Sequence, residues 1–361
     1  MSRSDLMTWA LVAALIGTAC ANDTAAPATT DETRPDPNAS AVILSTDTAM
    51  GLTSGRGNGV SAAPPDVDDN WAFALASDQA AIDLLGVVVT MGNGPVVPEV
   101  SVARATADIL GSDVPVVEGA ATWLSVEPLT DYTGSSLDGD CVNDGVRFMA
   151  EQLEARDEVT IVAIGPMTDV ACVVLNFPEL VDRVDRVVAL IGNLSGDPAE
   201  VNGSIAGDFN YSMDPRAANL VLESDIAFTA ISMNLAASAL FPLSDIYDMA
   251  ESSDPRGQYF GRASTPYAEH YEQTVGPEKP IWDAVAVWHL IEPSSQECAS
   301  MGVVENSGAP GVYSDADTGL WFSGDADAGR QITVCTEFTS DAESERFIDA
   351  ALLAVGGGVD E

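Results

Sequence analysis

The sequence is poor in the side chains that usually hold zinc. Its 361 residues include two histidines and five cysteines, with no Cys-x-x-Cys pair and no histidine–cysteine cluster. Zinc sites in proteins are built from such groups at close spacing. A zinc centre is therefore not expected, and oxygen atoms are the ligands that remain available to a metal ion.

Basic side chains are also scarce. The 14 lysines and arginines stand against 56 aspartates and glutamates, which gives a formal net charge of −42. A chain of this charge repels nucleic acids and anionic lipids, and it attracts cations. We expect no nucleic-acid partner, and a solvated acidic surface is the simplest use of the excess acid.

The N-terminus contains an apolar run, from Leu6 to Ile16, that is too short to span a bilayer comfortably. Small residues stand directly before Cys20. This pattern predicts a signal peptide over residues 1–20, either of the lipoprotein type with lipidation of Cys20 or an ordinary one with an incidental cysteine. The protein would then be exported to the periplasm or the cell surface, and its contact with a membrane would be a lipid anchor.

Composition divides the rest of the chain into two parts. Residues 21–40 are rich in Ala, Thr, Asp and Pro without apolar periodicity, which predicts a disordered tether. Residues 41–361 show neither an internal repeat nor a second change of composition, and they predict a single globular domain.

Four cysteines follow Cys20, an even number that can form disulfides in an exported chain. Three pairings are possible. Cys172 lies in the apolar segment DVACVVL and is expected to be a buried thiol or half of a core disulfide, while Cys298 and Cys335 lie in loop-like or strand-edge contexts that allow them to pair.

Short aliphatic runs alternate with amphipathic segments along this domain. The runs AVILST, LLGVVVTMG, VTIVAIG, RVVALIG and IAFTAIS are typical of strands covered on both faces, and VSVARATADILG and DPRAANLVLES are typical of the helices between them. The pattern predicts an α/β fold with a largely parallel, Rossmann-like central sheet covered by helices. In such sheets ligands bind beyond the carboxyl ends of the strands.

Acidic and amide side chains follow these runs. They include Asp47, Asn93, Asp169, Asn193, Asn202, Asp208, Asn210, Asp214 and Asp283. Carboxylate and carboxamide oxygens suit Ca²⁺ or Mg²⁺, and groups that both donate and accept hydrogen bonds suit the hydroxyls of a sugar such as ribose. Each residue alone is also explained as a helix N-cap or a turn former.

The order of the motifs resembles the inosine-uridine preferring nucleoside hydrolase family. The matching segments are STDTAMG followed by DVDD, then MGN, GPMTD, Asn202 with DFNYSMDP, and WD, and the likeness extends over about residues 41–350. The resemblance implies the nucleoside hydrolase fold and Ca²⁺-dependent hydrolysis of the N-glycosidic bond of ribonucleosides, giving ribose and free base. The assemblies that we consider are a homodimer and a homotetramer.

The resemblance implies a role for each matching residue. The expected metal ligands are Asp47, Asp69, the Thr168 carbonyl and Asp283, and Asp47 is also expected to activate water. The expected ribose ligands are Asp68, Asn93, Asn202, Asn210 and, near the 5′ end, Asp208. These roles agree with the chemistry, because breaking an N-glycosidic bond builds positive charge on the sugar and needs an activated water.

The chain departs from the family pattern at three places. Ser45 stands in place of the family's first aspartate, Asp208 in place of glutamate, and Trp282 in place of a histidine thought to help the departing base. Trp282 is expected either to stack on the base or to fill the core. His270 and Tyr271, with Tyr267 nearby, are candidates for the leaving-group side, although an exposed helix residue is the favoured interpretation of His270.

Two alternatives to nucleoside hydrolysis follow from Trp282. The protein could be a non-catalytic nucleoside- or ribose-binding surface lipoprotein, or it could hydrolyse a ribosyl compound whose leaving group needs no acid. Asp47 and Asp68 are also separated by 21 residues, from 68 − 47, where the family pattern has a tight loop. The metal site therefore requires residues 49–66 to loop outward and bring Asp47 and Asp69 together.

Overall fold

The computed structural model describes residues 39–52, 63–124, 141–306 and 319–356, and the structural statements below concern these residues. Cys20, the predicted signal peptide and most of the predicted tether lie outside them. The middle of the 49–66 segment, residues 53–62, also lies outside.

Strands and helices alternate through most of the chain. The strands are β1 (Ser40–Thr46), β2 (Ile82–Val89), β3 (Val116–Glu118), β4 (Val159–Ala163), β5 (Val184–Leu190), β6 (Asn193–Leu194), β7 (Glu200–Val201), β8 (Ser204–Ile205), β9 (Phe228–Ile231), β10 (Leu240–Pro242), β11 (Glu278–Pro280), β12 (Gln296–Asn306), β13 (Gly319–Ser323) and β14 (Gln331–Phe338). The helices are α1 (Asp68–Ser77), α2 (Val96–Leu110), α3 (Asp144–Ala155), α4 (Thr168–Asn176), α5 (Phe209–Met213), α6 (Pro215–Glu223), α7 (Met233–Ala237), α8 (Ser244–Glu251), α9 (Pro255–Thr274), α10 (Ala284–Ile291) and α11 (Asp341–Ala354). Two 3₁₀ turns span Pro178–Arg183 and Pro293–Ser295.

Ten strands form one central sheet in the order β3-β2-β1-β4-β5-β9-β14-β12-β13-β6. The strands from β3 to β14 in this order are all parallel to their neighbours. β12 pairs antiparallel with β14 and with β13. The prediction of an α/β fold with a largely parallel, helix-covered sheet is confirmed, and each of the five aliphatic runs contributes a strand.

The sheet is buried on both faces because its side chains alternate between two hydrophobic layers. In β1, Val42 and Leu44 lie in one layer and Ile43 lies in the other. The first layer contains side chains of α1, α2, α9, α10 and α11, and the second contains those of α3, α4 and α6. Double coverage explains why the strands read as continuous aliphatic runs.

The segment GLWFSGDADAGRQITVC forms β13, a turn and the start of β14. These two strands are not neighbours, because β12 lies between them in the sheet. β12 thus supplies a partner on each side, and the antiparallel edge depends on a strand that the aliphatic pattern did not single out.

The four cysteines of the domain form two disulfides. Cys141 is joined to Cys172, and Cys298 is joined to Cys335. The first bond connects the start of the α3 segment to buried α4, and the second connects register partners on β12 and β14. Cys172 is therefore half of a core disulfide.

In the described part of the chain, none of the helices is long and apolar enough to cross a membrane.

Candidate active site

The carboxyl ends of the parallel strands surround a cavity of about 710 Å³. Its polar lining includes Asp47, Asp66, Asp68, Asn93, Asp208, Asn210 and Asp283, and its aromatic lining includes Phe209, Tyr267, Tyr271 and Trp282. Most of the acids and amides predicted from strand ends therefore share one space, as parallel topology requires.

Asp47 follows β1 directly and is buried at the base of this cavity. Its Oδ2 accepts a hydrogen bond of 2.8 Å from the Asn93 backbone N–H. Glycines allow the loops after β2 and β4 to approach it: a Cβ on Gly92 would lie 1.9 Å from Asp47 Oδ2, and a Cβ on Gly165 would lie 2.8 Å from Oδ1. Burial first, and then the charge of Asp69, raises the pKa of Asp47 well above its ordinary value.

Asp69 lies in the first turn of α1 and contacts the end of β1. Its Oδ1 accepts from the Thr46 hydroxyl at 2.5 Å and from the Asp47 backbone N–H at 3.3 Å. Its Oδ2 accepts from the Asn93 side chain at 3.0 Å. Burial raises the pKa of Asp69 to about 6, although the bond from Thr46 acts in the opposite direction. The long 49–66 segment thus leaves Asp47 and Asp69 in contact.

The loop after β2 is supported by a glutamate that the strand-end pattern missed. Glu99, in the first turn of α2, is fully buried and accepts a hydrogen bond from the Gly94 N–H. Its other oxygen has no hydrogen-bond partner in the described part of the chain. Burial, followed by the charge of Asp47, raises the pKa of Glu99 well above its ordinary value. Glu99 does not line the cavity, and it acts on the position of Asn93.

Within the described residues, Asp68 makes its hydrogen bonds through one oxygen only. Its Oδ2 accepts from the Lys279 ammonium at 3.0 Å and from the Trp282 backbone N–H at 2.6 Å. Its Oδ1 is buried without a hydrogen-bond partner. Burial and the charge of Asp66 raise the pKa of Asp68 to about 8, against the opposing charge of Lys279. A lining carboxyl with one unpaired oxygen is suited to bind a ligand hydroxyl.

Lys279 is a fully buried cation that sequence reasoning missed. Its ammonium lies 3.0 Å from an oxygen of Asp66, 3.0 Å from Asp68 and 2.7 Å from the Pro280 carbonyl. The Tyr267 hydroxyl donates to the other oxygen of Asp66 at 3.0 Å. Burial acts to raise the pKa of Asp66, but the charge of Lys279 and the hydrogen bonds that the carboxylate accepts together outweigh it, and the pKa is lowered. The sequence offered one sign of this role: Lys279 is its single lysine and is followed by the apolar residues PIW. A buried ammonium needs an acidic partner.

Asp283 stands immediately before α10 and lines the cavity. It is 6% exposed, and no hydrogen bond to its side chain occurs within the described residues. Burial and then the charges of Asp69, Asp68 and Asp47 raise the pKa of Asp283 well above its ordinary value. A buried carboxylate among other carboxylates is stabilised by a nearby cation.

The donor set of Asp47, Asp69 and Asp283 fits a hard divalent cation in its chemistry. Its oxygens are more widely spread than those of a closed site. Within the described ranges, the group of three acidic, histidine or cysteine residues whose ligand atoms all lie within 4.8 Å of one another is His289, Cys298 and Cys335, and these sulfurs form a disulfide. Binding by all three aspartates therefore requires a side chain to move inward.

Asp208 and Asn210 join the loops after β4 and β5. Asp208 Oδ2 accepts from the Gly192 N–H at 2.7 Å, and Oδ1 accepts from the Tyr211 N–H at 3.0 Å as the N-cap of α5. The Asn210 amide donates to the Ile164 carbonyl at 3.0 Å and the Leu190 carbonyl at 3.1 Å. Burial raises the pKa of Asp208 to about 6. Both residues thus have local structural roles and also line the cavity.

Three predicted site residues, Asp69, Asn202 and Thr168, are not among those that line the cavity. Asn202 is exposed at the turn between β7 and β8, with its side chain facing Gly276. Thr168 is buried at the first position of α4, and its hydroxyl donates to Asp214 at 2.7 Å. Their roles as a ribose ligand and a carbonyl ligand stay predictions.

α9 supplies the residues predicted for the leaving-group side. Tyr267, His270 and Tyr271 all line the cavity, and the rings of Tyr267 and Tyr271 are 5.6 Å apart with a tilt of 35°. His270 is exposed. Trp282 is partly buried and also lines the cavity, so it both packs on the core and offers ring surface to a ligand.

A protein-family model and several curated proteins match this chain. The family model described as inosine-uridine preferring nucleoside hydrolase matches residues 64–345. The non-specific ribonucleoside hydrolases RihC of Salmonella typhimurium and Salmonella newport are each 28% identical over 198 residues, which cover 49% of this chain and 60% of the relative. The match thus spans less than two thirds of the curated relatives.

Solved structures of low identity share the fold. A purine-preferring ribonucleoside hydrolase from Gardnerella vaginalis is 19% identical, with a TM-score of 0.67 over 87% of this chain and 99% of that chain. A plant nucleoside hydrolase is 19% identical, with a TM-score of 0.65 over 86% and 98%. The predicted fold is therefore confirmed at the level of overall architecture.

Proposed function

The chain belongs to the inosine-uridine preferring nucleoside hydrolase family, and from this premise we propose that it hydrolyses the N-glycosidic bond of ribonucleosides to ribose and free base. The observation that carries the proposal is the contact of Asp69 with Asp47, which lines a cavity together with Asp68 and Asp283. The curated RihC relatives are named ribonucleoside hydrolases, which supports the same reaction here.

Asp47 is proposed as the general base. It lies at the base of the cavity, and its raised pKa makes it a stronger base than an ordinary carboxylate. It would take a proton from water as the oxygen bonds to the anomeric carbon. The bond from that carbon to the base nitrogen breaks, and its electron pair leaves with the base. The neighbouring carboxylates stabilise the positive charge that develops on the sugar.

Asp68, Asn93 and Asn210 are proposed to hold the ribose. Asp68 presents an unpaired oxygen, while Lys279 and the Trp282 N–H fix its other oxygen. Asp208 is proposed to approach the 5′ end, and Asn202 would have to move inward to take part. Binding of the hydroxyls orients the anomeric carbon toward Asp47.

We propose Ca²⁺ as the metal, held by Asp47, Asp69 and Asp283 with the Thr168 carbonyl. When bound, such an ion lowers the pKa of water and offsets the repulsion among the carboxylates. Support for an ion comes from Asp283, whose pKa is raised by burial and four neighbouring aspartates and whose side chain has no described hydrogen bond.

The experiment is release of reducing sugar from a panel of purine, pyrimidine and nicotinamide ribosides, with Ca²⁺, with Mg²⁺ and with a chelator. We expect ribose from at least one riboside, more with Ca²⁺ than with Mg²⁺, and none with the chelator. Calorimetric binding of nucleosides without ribose release from any of them would instead identify a nucleoside-binding protein, the alternative that Trp282 favours.

Export and lipidation of Cys20 are also proposals. They are tested by comparing the full chain with Cys20→Ala in detergent phase partitioning after expression in a bacterium that processes lipoproteins. The wild-type chain should enter the detergent phase and the variant should not. A homodimer or homotetramer is tested by the mass of the purified protein in solution.

A further inference from the structure

The cavity combines carboxylates with aromatic rings, and we propose that it selects N-ribosides whose base is a flat cation, of the N-ribosylpyridinium class. This inference rests on the proposed hydrolysis and specifies its substrates. It assigns the leaving group rather than the sugar, and it follows from the residues that form the wall near α9.

The charge of the lining is the first support. Five aspartates line the cavity, and none of its described lining residues is a lysine or an arginine. Lys279 is buried behind this lining, and its charge is shared by Asp66 and Asp68. When they are ionised, these five carboxylates and Asp69 carry more negative charge than Lys279 and one divalent cation carry positive charge. A cationic ligand is favoured in such a space, and a phosphorylated one is repelled.

The aromatic wall is the second support. Tyr267, Tyr271 and Trp282 contribute ring surface to the cavity beside the Asp66 carboxylate. The faces of such rings attract cations. The wall already attracts a cation on its inner side, where the Lys279 ammonium lies 5.5 Å from the centre of the Tyr267 ring. Rings together with a carboxylate are the groups that bind a flat organic cation.

The proton donors of this wall are the third support. A neutral base must gain a proton to leave well, but the indole of Trp282 is a poor acid. The Tyr267 hydroxyl already donates a hydrogen bond to Asp66. Burial together with that carboxylate raises the pKa of Tyr267 well above its ordinary value. Exposed His270 and the Tyr271 hydroxyl are the other groups of this wall that carry a transferable proton.

A cationic base removes the need for a donor. The bond from the anomeric carbon to the ring nitrogen breaks, and its electron pair neutralises the pyridinium. The water oxygen bonds to the same carbon, and its proton passes to Asp47 and then to solvent. The products are ribose, a neutral pyridine and one proton, so atoms and charge balance.

The first test compares kcat/KM for nicotinamide riboside with kcat/KM for inosine and uridine. We expect the cationic riboside to exceed both by about tenfold or more. The neutral 1,4-dihydro form of nicotinamide riboside has nearly the same shape, and it should inhibit at least about tenfold more weakly than the cationic form binds. Equal or higher kcat/KM for inosine or uridine would overturn the inference while leaving hydrolysis intact. Ribose release from none of the three would refute hydrolysis itself.

The second test uses Asp66→Asn with Tyr267→Phe as its matched control. Asp66→Asn removes the charge beside the rings, so the ratio of the cationic to the neutral substrate should fall by several fold, because a carboxylate attracts the cation but not the neutral base. Tyr267→Phe removes the hydrogen bond to Asp66 but keeps both the ring and the charge, so the ratio should hold. A ratio measured on one sample does not depend on the folded fraction. An unchanged ratio in Asp66→Asn would overturn the inference, and the dihydro comparison decides it if that variant does not fold.

Discussion

Lys279 shows most clearly how a single residue organises the site. It is the buried partner of two aspartates that are 211 and 213 positions away, from 279 − 68 and 279 − 66. Removing one member of a buried ion pair leaves uncompensated charge, which is more costly than the loss of a surface pair. Lys279 also fixes one oxygen of Asp68, at 3.0 Å.

Lys279→Met is therefore expected to lower the free energy of unfolding by about 3–5 kcal/mol and to raise KM for the riboside more than it lowers kcat. Chemical denaturation and steady-state kinetics measure these effects. In the double variant Asp66→Asn with Lys279→Met, one of the two stranded charges is gone, so part of the stability should return. Wild-type stability in Lys279→Met would contradict this account of the pair.

Asp208 gives a pH dependence of stability whose sign follows from its environment. Its pKa is raised from 3.8 to about 6 by burial, so the folded state binds more protons than the unfolded state between these values. The stability that Asp208 contributes to the folded state is fully present below about pH 4 and is lost as pH rises through about 6. Relative to Asp208→Asn, the wild type should lose up to about 3 kcal/mol from pH 4 to pH 7, at about 1.4 kcal/mol per pKa unit.

Denaturant unfolding of both proteins across this pH range measures the difference. A difference that stays constant would show that Asp208 titrates normally in the folded protein. The comparison cancels the other acids, because both proteins carry them.

At the scale of elements, the loops after β2 and β4 set the position of Asp47. Gly92 has no room for a side chain, since its Cβ would fall 1.9 Å from the Asp47 carboxylate. The carboxylate is the end of a flexible side chain, so it would be displaced. Gly92→Ala should therefore reduce kcat by about two orders of magnitude with a smaller effect on stability.

Gly324 supplies the control, because a Cβ there meets nothing within 4 Å and the residue is exposed. Gly324→Ala should keep wild-type kcat. Kinetics and thermal unfolding of the two variants are the measurements. Wild-type kcat in Gly92→Ala would show that Asp47 tolerates displacement or does not act in the reaction.

The sequence predicted elements where burial leaves a clear pattern. The parallel strands were recognisable because both faces are covered, and Asp47 was recognisable because it follows such a strand. β12 was not recognisable from the sequence, since its role as a partner of both β13 and β14 depends on how the chain returns to the sheet. The disulfides stayed open for the same reason: pairing of Cys298 with Cys335 depends on the register of β12 and β14.

Residue contacts across the molecule were harder to predict than strand ends. Asp66 was part of the 49–66 segment and had no expected role, yet it binds Lys279 and Tyr267. These contacts require α9, β11 and the start of α1 to meet, and no local pattern encodes their meeting. Asn202 shows the reverse case, because its spacing fits the family pattern while the β7–β8 turn leaves it exposed.

At the scale of the whole molecule, the central claim is that a parallel sheet gathers acids from distant segments into one hydrolytic site. Asp47 and Asp69 are 22 positions apart, yet they are in contact, and the segment between them does not separate them. The chain as a whole is strongly acidic, and its cavity continues that character. Cation binding should therefore raise the thermal unfolding temperature, and Asp283→Asn should reduce that increase.

The most direct test is the rate of ribose release by Asp47→Asn and wild type, with the best riboside of the panel at saturating Ca²⁺. Asparagine keeps the shape of the side chain but cannot take a proton. The account predicts that kcat falls by about two to four orders of magnitude while the variant unfolds as cooperatively as the wild type. A folded Asp47→Asn protein that releases ribose at the wild-type rate would contradict it.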